Sequence, residues 1–392
     1  MYKMTKIRLA TITLLVVAVA VGCAADETAD RSYNEEPATK EFRTEYQDIK
    51  VTKLAGDLDR PWAVAFLPDG RFLVTERPGY LNIVDDGEVI RVNGTPPVKA
   101  VNQGGMMEVV THPDYEENGW IYLTFSREND EGDTAVVVLR GRLDGTDFVD
   151  QEEVFVQNRY SSPGRHYGSK IVWDNAGYMY VSIGDRGADP PRAQDLGDHA
   201  GTLLRMYSDG SVPSDNPFIG QDGVAPEIFS YGHRNIQGVI IDLETNEIWA
   251  TEHGPRGGDE LNFVEAGKNY GWPDASYGRD YGNEHRFHNH TVARDIEGMV
   301  PPVYELLPTH APAGLALVTS DNFPRWKGNL LAGGLRPERI RRLVIEDYTV
   351  IHEEELLTFE YGRIRDVREG PDGNIYFVTD ENPGGLYVIE PN

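Results

Sequence analysis

Trp62-Ala-Val-Ala-Phe-Leu-Pro-Asp-Gly-Arg-Phe-Leu-Val-Thr75 reads as a strand, a tight turn and a second strand. Two short apolar runs flank Pro68-Asp69-Gly70, where proline presets one turn dihedral and glycine accepts a positive one. A near-copy stands at the far end of the chain, Ile364-Arg-Asp-Val-Arg-Glu-Gly-Pro-Asp-Gly-Asn-Ile-Tyr-Phe-Val-Thr379. Weaker versions run over residues 107–124, 169–183, 238–251 and 314–332, making six in all. One such hairpin cannot bury its own apolar face, and helical periodicity between the copies is scarce, so the small sheets are expected to stack radially. The fold predicted is all-β, a six-bladed β-propeller with four-stranded antiparallel blades; a two-domain β-sandwich is the alternative. Residues 49–54 are placed to add a strand beside residues 385–390 of the last blade and close the ring. No Gly/Ser-rich linker divides residues 46–392, which read as one domain.

Charge narrows the ligand. The 392 residues carry 37 basic and 64 acidic side chains, a formal net charge of −27. Such a surface repels phosphate backbones and anionic lipid, which argues against nucleic-acid binding. The single cysteine excludes intramolecular disulfides, CxxC redox motifs and Cys-rich zinc sites. Its position is informative: Lys3, Lys6 and Arg8 precede an apolar run over residues 9–22, and Ala20-Val21-Gly22 lead into Cys23. The run is short for a membrane span and has signal-peptide flanks. Small residues directly before a cysteine resemble a bacterial lipobox, so residues 1–22 read as a lipoprotein signal and Cys23 as the acylated N-terminus of an exported, envelope or periplasmic protein. Plain signal-peptidase cleavage, or a buried free thiol, are the other readings. Residues 23–45, polar and acidic with almost no large aliphatics, read as a flexible tether to that lipid anchor.

Several loops at the starts of the repeats carry chemistry. Gln103-Gly104-Gly105 opens the second and is foremost a turn. His166, in Gly164-Arg165-His166-Tyr167-Gly168, opens the third; an imidazole there is either a general base or merely exposed. Arg234 and Asn235 open the fourth and offer a planar fork and an amide to a carboxylate or quinone oxygen, or to a loop salt bridge. The stretch Glu252-His253-Gly254-Pro255-Arg256-Gly257-Gly258-Asp259-Glu260, followed by Asn269-Tyr270-Gly271-Trp272, mixes carboxylates with outward backbone carbonyls and suits a hard cation, without EF-hand spacing. Arg363 and Arg365 share one face of the last repeat's first strand, where like charges repel unless an anion lies between them; Asp366 points the other way. His285, His288 and His290 read as a solvated loop, since no second cluster completes a metal site.

Together these loops resemble the PQQ-dependent soluble aldose sugar dehydrogenases of the glucose/sorbosone dehydrogenase family. The resemblance runs in one colinear order from residue 49 to the C-terminus. It rests on RPWAVAFLPDG and VTERPG, QGGMMEV, RHYGSK, GDRG, SYGHRN, EHGPRGGDELN with GKNYGWP, and GRIRD. It implies a six-bladed propeller that oxidises aldose sugars at the anomeric carbon to lactones and passes the electrons to an envelope acceptor. It implies two cofactors, pyrroloquinoline quinone (PQQ) and Ca²⁺. By similarity His166 takes the proton of the anomeric hydroxyl while hydride passes to C5 of the quinone, with Arg234 and Gln103 close by and Asn235 on the quinone side. Gly254 and Pro255 would give carbonyls to the Ca²⁺ that holds the cofactor, and Glu260 and Tyr270 match positions of a further calcium. Tyr281 and the Ala311-Pro312-Ala313 turn would border PQQ, and Arg363 and Arg365 would pair its carboxylates. One departure is visible: Arg336 stands where the glucose dehydrogenase branch carries a lysine that contacts the cofactor, and the two differ in reach and geometry. Loops shorter than in the dimeric, glucose-specific branch point to a broad-specificity monomer.

No GxGxxG follows a strand before a helix, so a nicotinamide cofactor is not supported. A calcium-dependent propeller hydrolase, for example a lactonase, is the alternative. It would share the cation and the histidine but give Arg363 and Arg365 no polycarboxylate to bind. A non-catalytic binding platform would not need a polar group aimed from one loop of each blade.

Overall fold

The computed structural model describes residues 38–392 other than 163, 280, 282–285, 288, 289 and 292. The signal, the lipobox Cys23 and the tether up to residue 37 lie outside these residues. So do His285 and His288, and only the backbone is described at His290. Among the described residues, no helix is long and apolar enough to cross a membrane.

Each expected strand-turn-strand repeat forms the inner two strands of one blade. In both clear copies the turn is built alike: Gly70 and Gly373 take φ of 90° and 78°, and the carboxylates of Asp69 and Asp372 accept the backbone N–H groups of Arg71 and Asn374. The first blade is Pro61–Phe66, Phe72–Glu76, Tyr80–Asp85 and Glu88–Arg91, antiparallel in sequence order. The second to fifth blades repeat this from inner strands Met106–Thr111, Ile171–Trp173, Ile236–Asp242 and Pro312–Leu317. The sixth takes Ile364–Glu369, Ile375–Thr379 and Gly384–Pro391 from the C-terminus and Ile49–Leu58 from the N-terminus. Ile49 pairs with Pro391 and Leu58 with Gly384, so the ring closes as the sequence predicts. The fold is a six-bladed β-propeller, and the β-sandwich alternative is set aside.

One boundary differs from expectation. Thr39–Phe42, inside the stretch read as a tether, pairs with residues 49–52 as a fifth, outer strand of the sixth blade. Its alternation accounts for this: Phe42 turns inward onto the Tyr361 ring, with centroids 6.1 Å apart, while Thr39 and Glu41 face solvent.

Apolar faces of neighbouring blades meet in layers, such as Leu73, Ile83 and Trp62 against Met107, Val109 and Leu123. Burying each of these side chains contributes about 1.5–3 kcal/mol. The channel itself is crossed by four buried charges. Lys170 Nζ lies 2.6 Å from Asp366 Oδ1 and 3.1 Å from Glu108 Oε2. Arg368 donates to both carboxylates, at 2.8 Å to Asp366. The Trp62 ring lies 4.7 Å from the Lys170 ammonium, and Asp366 also accepts the N–H of Val64. Two cations and two anions thus tie the first, second, third and sixth blades together. Burial pushes the Asp366 carboxyl up, but Arg368 and Lys170 outweigh it and hold it below the usual carboxylate range. Asp366→Ala leaves two buried cations on one carboxylate and should cost about 3–5 kcal/mol, read as a lower urea midpoint. Adding Lys170→Met should recover part of that loss; a midpoint unchanged by Asp366→Ala would show that the network holds nothing.

Candidate functional site

In each blade the first strand begins where the second ends, because the two are antiparallel. Loops entering inner strands and loops leaving second strands therefore share one mouth of the channel. His166, Arg234, Asn235, Ala311 and Arg363 enter there; Arg77, Asp185, His253 and Asp380 leave there.

His166 is buried and takes φ of 57°, in the left-handed region. Its backbone runs against Gly184, where any Cβ would lie 2.2 Å from the His166 carbonyl, so glycine is required. Gln103 Oε1 accepts the His166 N–H at 2.8 Å, and Asn235 Oδ1 accepts the N–H of Gly168 at 3.1 Å. The imidazole Nδ1 lies 2.6 Å from Asp185 Oδ1. Asp185 is itself fully buried and accepts Trp272 Nε1 and the N–H of Gly187, both at 2.7 Å. A carboxylate so fixed takes the Nδ1 proton of a neutral ring and leaves Nε2 as a bare acceptor. Burial and the nearby Arg234 guanidinium push His166 below the ordinary imidazole range, against the pull of Asp185. Burial pushes Asp185 up, but His166, Arg234 and Trp272 outweigh it and keep it ionised.

Arg234 spans the mouth. Its guanidinium donates to the carbonyls of His253 at 3.1 Å and Gly254 at 2.8 Å and lies over the Trp272 ring, while its Nε is buried without a partner. Its backbone N–H is held at 2.7 Å by Glu252, which also takes His233 and Asn262. Asp259 organises the next two loops: Oδ1 accepts the N–H of Gly254, and Oδ2 accepts Thr309 Oγ1 and the N–H groups of His310 and Ala311. The Gly254 carbonyl is taken by Arg234, and that of Pro255 accepts the exposed Tyr281 hydroxyl at 2.8 Å. Ala311 follows with φ of 47°, and Pro312 and Ala313 begin the fifth inner strand. Arg336 lies exposed beyond Leu335, whose N–H is held by the Ala311 carbonyl.

Glu260 and Tyr270 come together in a separate crevice with Tyr277 and Asp295. The Tyr270 hydroxyl donates to the Phe263 carbonyl at 2.7 Å, and its ring stacks on His233. Burial and the neighbouring Glu252, which shares Asn262 with it, push Glu260 well above the usual carboxylate range. Two carboxyls so close suit a cation between or beside them. Among the described residues no three His, Cys, Asp or Glu side chains converge on one point, so a cation at Gly254 and Pro255 would draw on backbone carbonyls.

The last strand corrects one expectation. Arg363 and Arg365 do have an anion between them: Asp380 Oδ2 lies 2.5 Å from Arg365 and 3.4 Å from Arg363. Arg77 approaches the same carboxylate at 3.8 Å, so three guanidiniums face one buried acid. Arg365 also donates to Gln237 at 3.0 Å, which links it to His253. The excess of two positive charges persists, in a protein that is otherwise strongly acidic.

Asp185, Arg77 and Asp380 had escaped the sequence reading, and Glu252 and Asp259, read there among carboxylates suited to a cation, instead hold backbone and side-chain donors. Asp185 and Asp380 share one signal: each stands one or two residues beyond a buried second strand, Met179–Ile183 or Ile375–Thr379.

Comparison with known proteins agrees with this architecture. The glucose/sorbosone dehydrogenase family model matches residues 58–388. Aldose sugar dehydrogenase YliI of Escherichia coli (strain K12) is 39% identical over 349 residues, 88% of this chain and 93% of that one. The crystal structure of the soluble aldose sugar dehydrogenase of Escherichia coli in its apo-form aligns with a TM-score of 0.83 at 38% identity, covering 88% of this chain and 100% of that one. The PQQ-bound aldose sugar dehydrogenase of Streptomyces coelicolor aligns with a TM-score of 0.71 at 27% identity, covering 91% and 99%. The family model and these likenesses span nearly the whole six-bladed ring, and the chain belongs to the glucose/sorbosone dehydrogenase family.

Proposed function

We propose that this protein oxidises aldose sugars at the anomeric carbon to lactones with PQQ and Ca²⁺, and passes the electrons to an acceptor in the cell envelope. The observation that carries the reading is the pairing of His166 with buried Asp185 at the same mouth as Arg77, Arg363 and Arg365. The residues fit the quinone: three guanidiniums against the single Asp380 carboxylate leave room for further anionic groups, and the buried Nε atoms of Arg234 and Arg365 lack partners. They also fit a hard cation: Asp259 fixes the Gly254-Pro255 loop, whose carbonyls, now accepting Arg234 and Tyr281, would serve the ion. A hydrolase reading would leave the arginine excess without a purpose. PQQ supplies the hydride-accepting chemistry when bound, and Ca²⁺ polarises it.

The chain's own residues do the rest. His166 Nε2 accepts the proton of the anomeric hydroxyl, which eases departure of hydride from the same carbon. Asp185 keeps the other nitrogen protonated and steadies the imidazolium once it forms. Arg234 and Gln103 orient the sugar oxygens, and Asn235 holds the loop that carries the base. Tyr281, Ala311, Pro312 and Ala313 would border the cofactor, and Arg336 offers a cation from the fifth blade. Glu260 and Tyr270 would serve a second cation that braces the fourth blade. Export rests on the N-terminal sequence: Cys23 would carry the lipid, with residues 23–38 as the tether.

Protein stripped of quinone and divalent cation should reduce no dye in the presence of aldoses and regain activity only when both PQQ and Ca²⁺ are added. Sugar-dependent turnover that survives chelation and removal of quinone would contradict the reading. His166→Gln should lower kcat by about 10²–10⁴-fold, with a smaller effect on PQQ affinity. Because burial and Arg234 depress the His166 pKa, kcat/KM should rise with pH through a limb whose midpoint lies below the ordinary imidazole value of about 6.5. Asp185→Asn removes the charge that favours the imidazolium, so the acid limb should move to still lower pH while kcat falls. A limb that moves upward would remove Asp185 from this role. Cys23→Ser should abolish fatty-acid labelling and membrane fractionation; equal fractionation of both forms would leave a plain secretory signal.

A further inference from the structure

Beside the base, the loop that carries His166 borders a cavity of about 510 Å³. Asn102, Gln103, Ser162, Arg165 and Arg186 supply its polar lining, the rest is glycine and alanine, and among the described residues no carboxylate borders it. In a chain of net charge −27, a pocket with two arginines and no acid is an anomaly. The two differ in availability. Arg186 is committed: it donates to the carbonyl and hydroxyl of Thr134 and to Gln157, and lies over the Tyr167 ring. Arg165 is exposed, and the hydrogen bond it makes, at 3.2 Å, goes to the Gly187 carbonyl.

Arg165 is nevertheless held. A Cβ at Gly187 would lie 2.5 Å from Arg165 Nε, so glycine there makes room for the guanidinium. Gly187 in turn donates its N–H to Asp185, the carboxylate that orients His166. One turn, Asp185-Arg186-Gly187, therefore fixes the base and rests the exposed Arg165 guanidinium beside it. The charge of Arg165 is felt at both His166 and Arg234 and adds to the depression of each.

We propose that Arg165 makes this cavity the subsite for an anionic group on the substrate, so that the enzyme prefers aldoses bearing a carboxylate or phosphate over neutral ones. The inference rests on the sugar-oxidation reading above and names its substrate class. A charge-assisted hydrogen bond at a half-open site is worth about tenfold in affinity. A competing neutral aldose would meet the same base but leave the guanidinium to water.

The test compares kcat/KM of the PQQ- and Ca²⁺-loaded enzyme for glucuronate, glucose 6-phosphate and glucose. Glucuronate, the phosphate or both should exceed glucose by about tenfold, mainly through KM, and the two anions show which headgroup fits. The ratio should fall as ionic strength rises from about 0.02 to 0.5 M, since an exposed charge is screened. Arg165→Gln should reduce the ratio about tenfold, and Arg165→Glu should shift preference toward glucosamine. Calorimetry with methyl glucuronoside, which has no free anomeric hydroxyl, gives a readout apart from turnover and should show tighter binding than methyl glucoside. Ratios near one, insensitive to salt and equal in wild type and Arg165→Gln, would overturn the proposal and leave sugar oxidation standing. Binding of methyl glucuronoside without oxidation of any aldose would instead overturn the oxidation reading and uphold the anion subsite.

Discussion

A propeller has no edge only if its ends meet, and here everything depends on residues 49–58 pairing with residues 384–391. That pairing joins the two chain ends in one sheet and fixes where the first blade lies against the sixth. The seam is where the arginine cluster forms. The N–H of Arg60 donates to the Glu381 carbonyl, and that of Arg77 donates to the Arg60 carbonyl. Arg77 from the first blade thus reaches Asp380 of the sixth, beside Arg363 and Arg365. A slip of one residue would turn every side chain of the closing strand to its other face. Arg77 would lose its approach to Asp380 with it.

The acidic composition looks at first unsuited to the anionic cofactor proposed above. The structure resolves this by using buried carboxylates as fasteners within the site. Asp185 holds a histidine, Asp259 holds two loops, Glu252 holds a backbone turn, and Asp380 is outnumbered by its arginines. Each is desolvated, and each is offset by N–H donors or a cation, which is the condition under which a buried charge is tolerated. Asp366 and Glu108, buried in the channel, are matched there by Lys170 and Arg368, so the excess of guanidiniums over Asp380 is a local feature of this mouth. A ligand with carboxylates is then steered to one place.

The fold was legible because its signal is periodic and local. Pro68-Asp69-Gly70 and Pro371-Asp372-Gly373 each specify a turn by residue type alone, and the apolar runs around them specify strands. The weaker repeats were legible as degenerate copies of the same strand-turn-strand unit, at irregular spacings. Of the site, residues with unusual chemistry in glycine-rich loops stood out, His166, Arg234 and the Arg363/Arg365 pair among them. Their carboxylate partners did not. Asp185 and Asp380 are ordinary acids among 64, and what distinguishes them is contact with residues 19 and 15 positions away, across a strand and a turn. Asp259 sat in view as a possible metal ligand, yet its oxygens are filled by N–H and O–H donors from positions 254 and 309–311. The outer strand at residues 39–42 was missed because a polar, acidic stretch gives little period to read; its ties are a ladder along residues 49–52 and the contacts of Phe42 and Lys40 with Tyr361.

The glycines next to His166, the proposed base, show how closely positioning and selectivity are coupled. Gly184 and Gly168 admit the left-handed turn at His166, so the imidazole enters the channel already oriented. Gly187 then serves two neighbours at once, donating to Asp185 and yielding space to Arg165. A larger residue at 187 could not move Arg165 aside without straining the turn, because its φ of 66° is already one that side chains resist. The charge at the subsite and the tautomer of the base are thereby set by one three-residue turn. Substrate preference at this mouth can drift through Arg165, an exposed side chain, while the catalytic geometry behind it stays locked by burial.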